Sequence, residues 1–271
     1  MTDLSNLRPA AGRFLPARLE RPSPLAFLAW AVTLAVLVHA FTAVGLSPMR
    51  LIEGLPNIGR ILGQMVPPDL TRLPQIGLAI LETFQMALVG TVIGVTLSLP
   101  LAILATRTLS PHPTVQVAAR AVVSFCRTVP DLVWALLFVI AVGLGPVAGT
   151  LAIAVDCIGF CGRFFAEAME ETDPGPREAL SALGARPLGI VFSAVVPQAM
   201  PSFIATALFA LEKATRSSVV LGLVGAGGIG IELKVAMDLF AYDLAATIIL
   251  AVFALVILVE QVGSRLRARI I

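Results

Sequence analysis

Apolar residues run along this chain in blocks too long for the core of a water-soluble domain. From the N-terminus they cover about Leu25 to Leu46, Gln75 to Ala105, Ala121 to Val142, Val147 to Phe165, Ile190 to Val224 and Leu244 to Val262. A helix of roughly 20 apolar residues matches the hydrocarbon thickness of a bilayer. The pattern therefore predicts an all-α integral membrane protein with six transmembrane helices. The second block is long enough to tilt or protrude, and Pro130 kinks or begins the third. Gly143 to Pro146 reads as a tight turn, which makes spans three and four an antiparallel hairpin. Residues 47–74 are mixed, and Leu55 to Val66 fits an amphipathic helix lying at the interface.

The longest polar interruption in the second half lies between Phe164 and Pro201. Pro174, Gly175 and Pro176 are expected to stop one helix. A short amphipathic helix follows through Glu178, Ala179, Leu180, Ala182 and Leu183, with its acidic residue where the helix dipole favours it. Gly184 fits a C-terminal cap, and Pro187 prevents a simple continuation. A short helix held between two spans is shaped to dock into a groove on a soluble partner.

Glu178-Ala179, Gly184 five residues after Ala179, and Pro197 thirteen after that resemble the "EAA" signature of binding-protein-dependent ABC importer permeases. Leu180 stands where that pattern prefers alanine and Ala194 where it prefers isoleucine. The resemblance implies that residues of about 176–187 form the coupling helix. Glu178, Ala179, Leu183, Gly184 and Arg186 would then make the contact with an ATP-hydrolysing subunit.

Composition agrees with the block pattern: 58% of the 271 residues are apolar and 13% charged. A net charge of +2 gives no reason to expect nucleic acid. Cys126, Cys157 and Cys161 lie inside apolar runs without CxxC spacing, and His39 and His112 are distant, so the cysteines read as small packing residues rather than metal ligands. The residues before the first span are polar and rich in arginine and proline, unlike a cleavable signal. The expected division is a cytoplasmic arm at 1–24, a transmembrane domain at 25–264 and a basic tail at 265–271.

Six spans put both termini on one side. That side carries eleven lysines and arginines in its flanks, and the other carries Arg50, Arg60, Arg72 and Lys234. The positive-inside rule makes the richer side, with both termini and the 176–187 helix, cytoplasmic.

The chain has no GxxxxGK[ST] phosphate loop, so the energy for any transport must come from another subunit. Gly225 to Gly230 (GAGGIG) matches GxGxxG in letters, but it follows a membrane span and lacks the soluble βαβ context of a dinucleotide site.

Ionisable residues inside spans are costly and usually face the bundle interior or a water-filled path. Glu212, Lys213, Arg216, Ser217 and Ser218 cluster in span five. Glu212 and Arg216, four apart, can neutralise one another on one helix face. A guanidinium followed by hydroxyls also suits a tetrahedral oxyanion. The N–H groups of the following run, including Gly227 and Gly228, could add an anion-binding nest. Glu82 and Gln85 in span two either line the path or form an interhelical hydrogen-bond pair. Asp156 and Arg163 are two turns apart and suggest a structural network, and Arg127 and Arg163 can snorkel.

Four stretches narrow the resemblance: Arg216 to Glu232 (RSSVVLGLVGAGGIGIE), Glu82 to Thr91, Arg127 to Ala135 (RTVPDLVWA) and Ile158 to Ala168. Over about residues 65–262 the chain is similar to the permeases of phosphonate, phosphite and phosphate importers, a branch of the methionine-importer-like (type I) ABC importer fold. That resemblance implies a multi-pass subunit of the bacterial inner membrane, paired with a second permease chain as a homodimer. It also implies two cytoplasmic subunits that bind ATP and Mg, and an extracytoplasmic solute-binding protein. The chain itself would bind no cofactor, and Arg216, Ser217, Ser218, Glu212, Glu82, Gln85, Gly227 and Gly228 would line the substrate path. Three other readings remain: an importer of another small solute such as an amino acid, an ion-coupled anion carrier, and a membrane enzyme acting on lipid phosphates. The last lacks the His/Asp cluster such chemistry needs.

Overall fold

The computed structural model describes residues 23–45 and 47–270. Arg8, Arg13, Arg18 and Arg21 of the expected arm lie outside the described residues, as do Leu46 and Ile271. The chain divides into two compact units, Met1–Gly59 and Arg60–Ile271.

In the first unit, α1 (Pro24–Ala43) begins at Ser23, whose hydroxyl accepts the Ala26 N–H at 3.2 Å. It is apolar around its circumference, with Phe27, Trp30, Leu34 and Phe41 exposed, as suits a helix surrounded by lipid. α2 (Pro48–Gln64) starts in this unit and is amphipathic, seven residues longer at its N-terminal end than the pattern suggested.

The second unit is built on α3 (Leu73–Ala105) and α6 (Pro146–Glu170). Their contact is made by small residues. Gly90, Gly94, Ser98 and Ala102 recur every four positions along α3 and are buried, Gly90 against Ile153 and Gly94 and Ser98 against Cys157 of α6. A side chain at Gly94 would collide with Cys157 and come within 2.7 Å of the Ala154 carbonyl. Small residues at such spacing let helix backbones approach closely where lipid supplies no hydrophobic drive. Cys157 and Cys161 are free and buried in the same core, and Cys126 is free and half-buried.

The expected third span does not form as one rod. α4 (Pro113–Thr128) and α5 (Asp131–Val142) meet at 90° across Val129 and Pro130. Proline lacks an N–H and excludes the helical region for the residue before it, and Val129 is extended with ψ 123°. α4 is amphipathic and α5 apolar. Asp131 accepts the Leu132 N–H at 2.9 Å, which satisfies one amide at the break.

After α6 come α7 (Pro174–Ala182) and α8 (Pro187–Ile190). A π turn at Val191–Val195 and α9 (Val196–Gly222) continue the same rod. α10 (Ile229–Asp238) and α11 (Tyr242–Ile270) complete the unit. Among the described residues, five helical stretches are long and apolar enough to cross a membrane, or six if α4 and α5 count as one bent span. α11 runs through Arg265, Arg267 and Arg269, so the residues expected as a separate basic tail extend the last helix. At the other end of α11, Thr247 donates to the Asp69 carbonyl at 2.7 Å and fastens the start of α3 to it.

Replacing Gly94 with valine should cost about 1–3 kcal/mol through overpacking of the α3–α6 seam. The unfolding temperature in detergent would fall by several degrees. Gly77→Ala, on a surface with no atom within 4 Å of the added carbon, should leave it unchanged.

Candidate substrate path and coupling segment

The charged turn of α9 is held by partners on two other helices. Glu212, 7% exposed, pairs with Arg267 of α11, Nη2 lying 2.7 Å from Oε1. This contact lacks hydrogen-bond alignment, and Arg267 Nη1 is buried without an acceptor. Gly263 makes room for it, since a side chain there would collide with the Glu212 carboxylate. Lys213 Nζ donates to both oxygens of Asp156 on α6 at 2.8 Å each and lies 5.4 Å over the Phe160 ring. Two anions inside the spans are thus neutralised across helices, which offsets the cost of holding them there.

These pairs correct two expectations. Glu212 does not neutralise Arg216, because α11 brings Arg267 to it first. Asp156 does not join Arg163, whose Nε instead donates to Glu167 one turn on at 2.7 Å. Arg216 is exposed and has no carboxylate within 4 Å among the described residues. It shares a face of α9 with exposed Phe209 and Val220 and half-exposed Lys213. Phe209 stacks on Phe160 at 5.7 Å, so this face continues onto α6. Ser217 is half-buried beside it. Ser218 is fully buried, and its hydroxyl donates to the Thr215 carbonyl at 2.9 Å.

The glycine run is not an open nest. Gly227 and Gly228 are buried, and α3 occupies the amides that begin α10. Gly228 N–H donates to Glu82 Oε1 at 3.0 Å, and Ile229 N–H to Thr83 Oγ1 at 2.8 Å. The positive end of α10 is therefore capped by a carboxylate and a hydroxyl of this same chain. Gly228 has φ +74°, and a side chain there would come within 2.6 Å of Thr83 Oγ1, so glycine serves both the turn and the approach. Glu82 is thus neither paired with Gln85 nor free, while Gln85 is exposed. The capping role of Thr83 could not be read from spacing, since its partner is 146 residues away.

The polar interruption folds into a helix capped at both ends. Asp173 Oδ1 accepts the Gly175 N–H at 3.0 Å, and the Asp173 N–H donates to Gln198 Oε1 of α9 at 3.2 Å. Pro174 and Pro176 sit in the first turn, where a missing N–H is no loss. They start α7 rather than stop α6, which has already ended at Glu170. Past Ala182 the chain makes a Schellman turn: Gly184 N–H reaches the Ser181 carbonyl and Ala185 N–H the Leu180 carbonyl, both at 3.0 Å. Gly184 has φ +75°, which accounts for glycine there. Glu178, Ala179, Leu183 and Arg186 are exposed, Leu183 by 83%. Leu180 is half-buried and anchors the helix.

Residues 94–271 match the family of binding-protein-dependent transport system inner membrane components. The chain belongs to this family. The permease is 39% identical over 238 residues to the phosphite transport system permease protein PtxC of Stutzerimonas stutzeri, covering 88% of this chain and 86% of that protein. It is 43% identical over 233 residues to the phosphate-import permease protein PhnE of Mycolicibacterium smegmatis, covering 86% of this chain but 44% of that relative's length. Its fold matches the MetNI methionine ABC transporter in an inward-facing conformation, with a TM-score of 0.67 at 24% identity over 75% of this chain and 99% of that one. The type I importer permease fold is therefore the fold of this protein, and it is a transport subunit of the membrane.

Removing Arg267 as methionine should leave Glu212 as an uncompensated buried charge and cost roughly 3–5 kcal/mol. Adding Glu212→Gln should recover most of that loss. Unfolding temperatures of the two single variants and the double variant in detergent measure the coupling.

Proposed function

We propose that this permease carries a phosphonate-type oxyanion (phosphonate, phosphite or phosphate) across the cytoplasmic membrane as part of an ATP-driven importer. One observation carries the reading. Glu212 and Asp156 each have their own cation, so Arg216 is left uncompensated on the exposed face of α9. A guanidinium with a free fork suits a tetrahedral anion better than a zwitterionic or neutral solute. The printed names of the phosphite and phosphate permeases support the same class of cargo.

In this reading Arg216 and Ser217 meet the anion first, and Gln85 lies on the exposed surface of α3. Glu212, Ser218, Glu82 and Gly228 shape the path rather than touch the cargo, because their polar groups are already engaged, and Gly227 does so because it is buried. A second copy of the chain completes the path as a homodimer across the exposed α9 face. A solute-binding protein delivers the anion from outside. Both termini and α7 face the cytoplasm, in keeping with the lysine and arginine bias. Two partner subunits bind ATP and Mg there, and their closure pushes on α7 through Glu178, Ala179, Leu183 and Arg186. The spans then rock between inward-open and outward-open states about the path. An amino-acid importer is the second reading within the same family.

Arg216→Ala should abolish uptake of the anion while leaving the purified assembly intact by gel filtration; normal uptake would remove Arg216 from the path. Arg216→Lys, a point charge without the fork, should keep a small fraction of the rate. Glu178→Lys should release ATP hydrolysis from transport, read as ATPase activity that no longer rises with the loaded binding protein. Unaltered stimulation would exclude α7 as the contact.

A further inference from the structure

A second cationic site lies away from the path, at the end of the bundle where α6 runs into α7. A cavity of about 300 Å³ opens between α4 and α6. Arg120, Ser124 and Arg127 line it from α4, and Arg163, Glu167 and Glu170 from α6. Two of the three guanidinia are engaged. Arg120 Nε donates to the Ala105 carbonyl at 2.8 Å and Nη2 to Glu170 Oε1 at 2.7 Å. Arg163 pairs with Glu167. Arg127 has neither a hydrogen-bond acceptor for its guanidinium nor a carboxylate within 4 Å among the described residues. Its backbone is fixed against α6, because Gly159 has no side chain and a Cβ there would come within 2.6 Å of the Arg127 nitrogen. The lining is three arginines against two glutamates, one positive charge in excess.

We propose that this cavity binds a phosphate group, with Arg127 as its principal ligand and the free edges of Arg120 and Arg163 as supporting donors. Arginine offers planar forks that match phosphate oxygens, and a single negative charge neutralises the lining. Snorkelling alone accounts for one arginine at a membrane boundary. It does not account for three arginines on two helices converging on one concavity. The phosphate can belong to a lipid headgroup or be free in solution. Either would compete with Glu170 for Arg120. Glu170 also accepts the Arg107 N–H at 2.8 Å and ends α6, three residues before the Asp173 cap of α7. An occupant therefore acts on the point where α6 hands over to the coupling segment. The site does not depend on which solute the path carries.

The test uses the full chain purified in neutral detergent with Arg216→Ala throughout, so that anion bound in the path is not counted. One arm measures equilibrium dialysis of radiolabelled inorganic phosphate. The other measures, by native mass spectrometry, retention of phosphatidylglycerol over phosphatidylcholine from an equimolar mixture. The expected result is binding in at least one arm, weakened at least tenfold by Arg127→Gln. Ser124→Glu, an exposed position that supplies a competing carboxylate, should weaken it similarly and decides the matter if Arg127→Gln fails to fold. Binding of inorganic phosphate identifies a free ligand, and selective retention of phosphatidylglycerol without it identifies a lipid. No binding in either arm, or binding that neither variant changes, overturns the proposal.

Discussion

The close approach of α3 and α6 governs the rest of the second unit. With Gly90, Gly94, Ser98 and Ala102 in the seam, the two backbones come near enough for Ser98 to reach the Cys157 carbonyl at 3.3 Å. That proximity has consequences at both ends of the pair. It brings Glu82 and Thr83 to the amides that begin α10, and it sets Asp156 where Lys213 of α9 can meet it. Larger residues in the seam would push α3 away and leave two amides and a carboxylate without partners inside a medium that offers no water. Packing by small side chains and satisfaction of polar groups are therefore one constraint here.

Much of this was legible along the chain, because the length of an apolar block and the position of a glycine or proline are local facts. Spans at α1, α3, α6, α9 and α11 follow from block length. The short helix closed by the Gly184 turn follows from its turn residues. Sequence reading failed where geometry is set by a second helix. Glu212 had a plausible partner four residues away, yet its partner is 55 residues on, because α11 crosses α9 at Gly263. Pro130 marked a break but not its angle, which is 90° in the fold, where α4 packs on Gly159 and Gly162 of α6.

The same limit holds for the candidate path. The residue types were visible in RSSVVLGLVGAGGIG, but which of them are available to a solute was not. Ser218 and Gly228 look polar or open in sequence and are consumed by internal bonds, and Gly227 is buried. Arg216 looked neutralised and is not. Availability is a property of the folded neighbourhood, and a list of polar residues in a span overstates the number that can meet a cargo.

The two caps of α7 have a mechanical consequence. A helix of nine residues with unsatisfied ends would fray under load and absorb a displacement in its own first and last turns. Here Asp173 closes one end and the Gly184 turn the other, while Gln198 ties the entry to α9. The segment is stiffer than its length suggests. A force applied at the bare Leu183 side chain reaches the long rod behind it as movement instead of being lost as local unwinding.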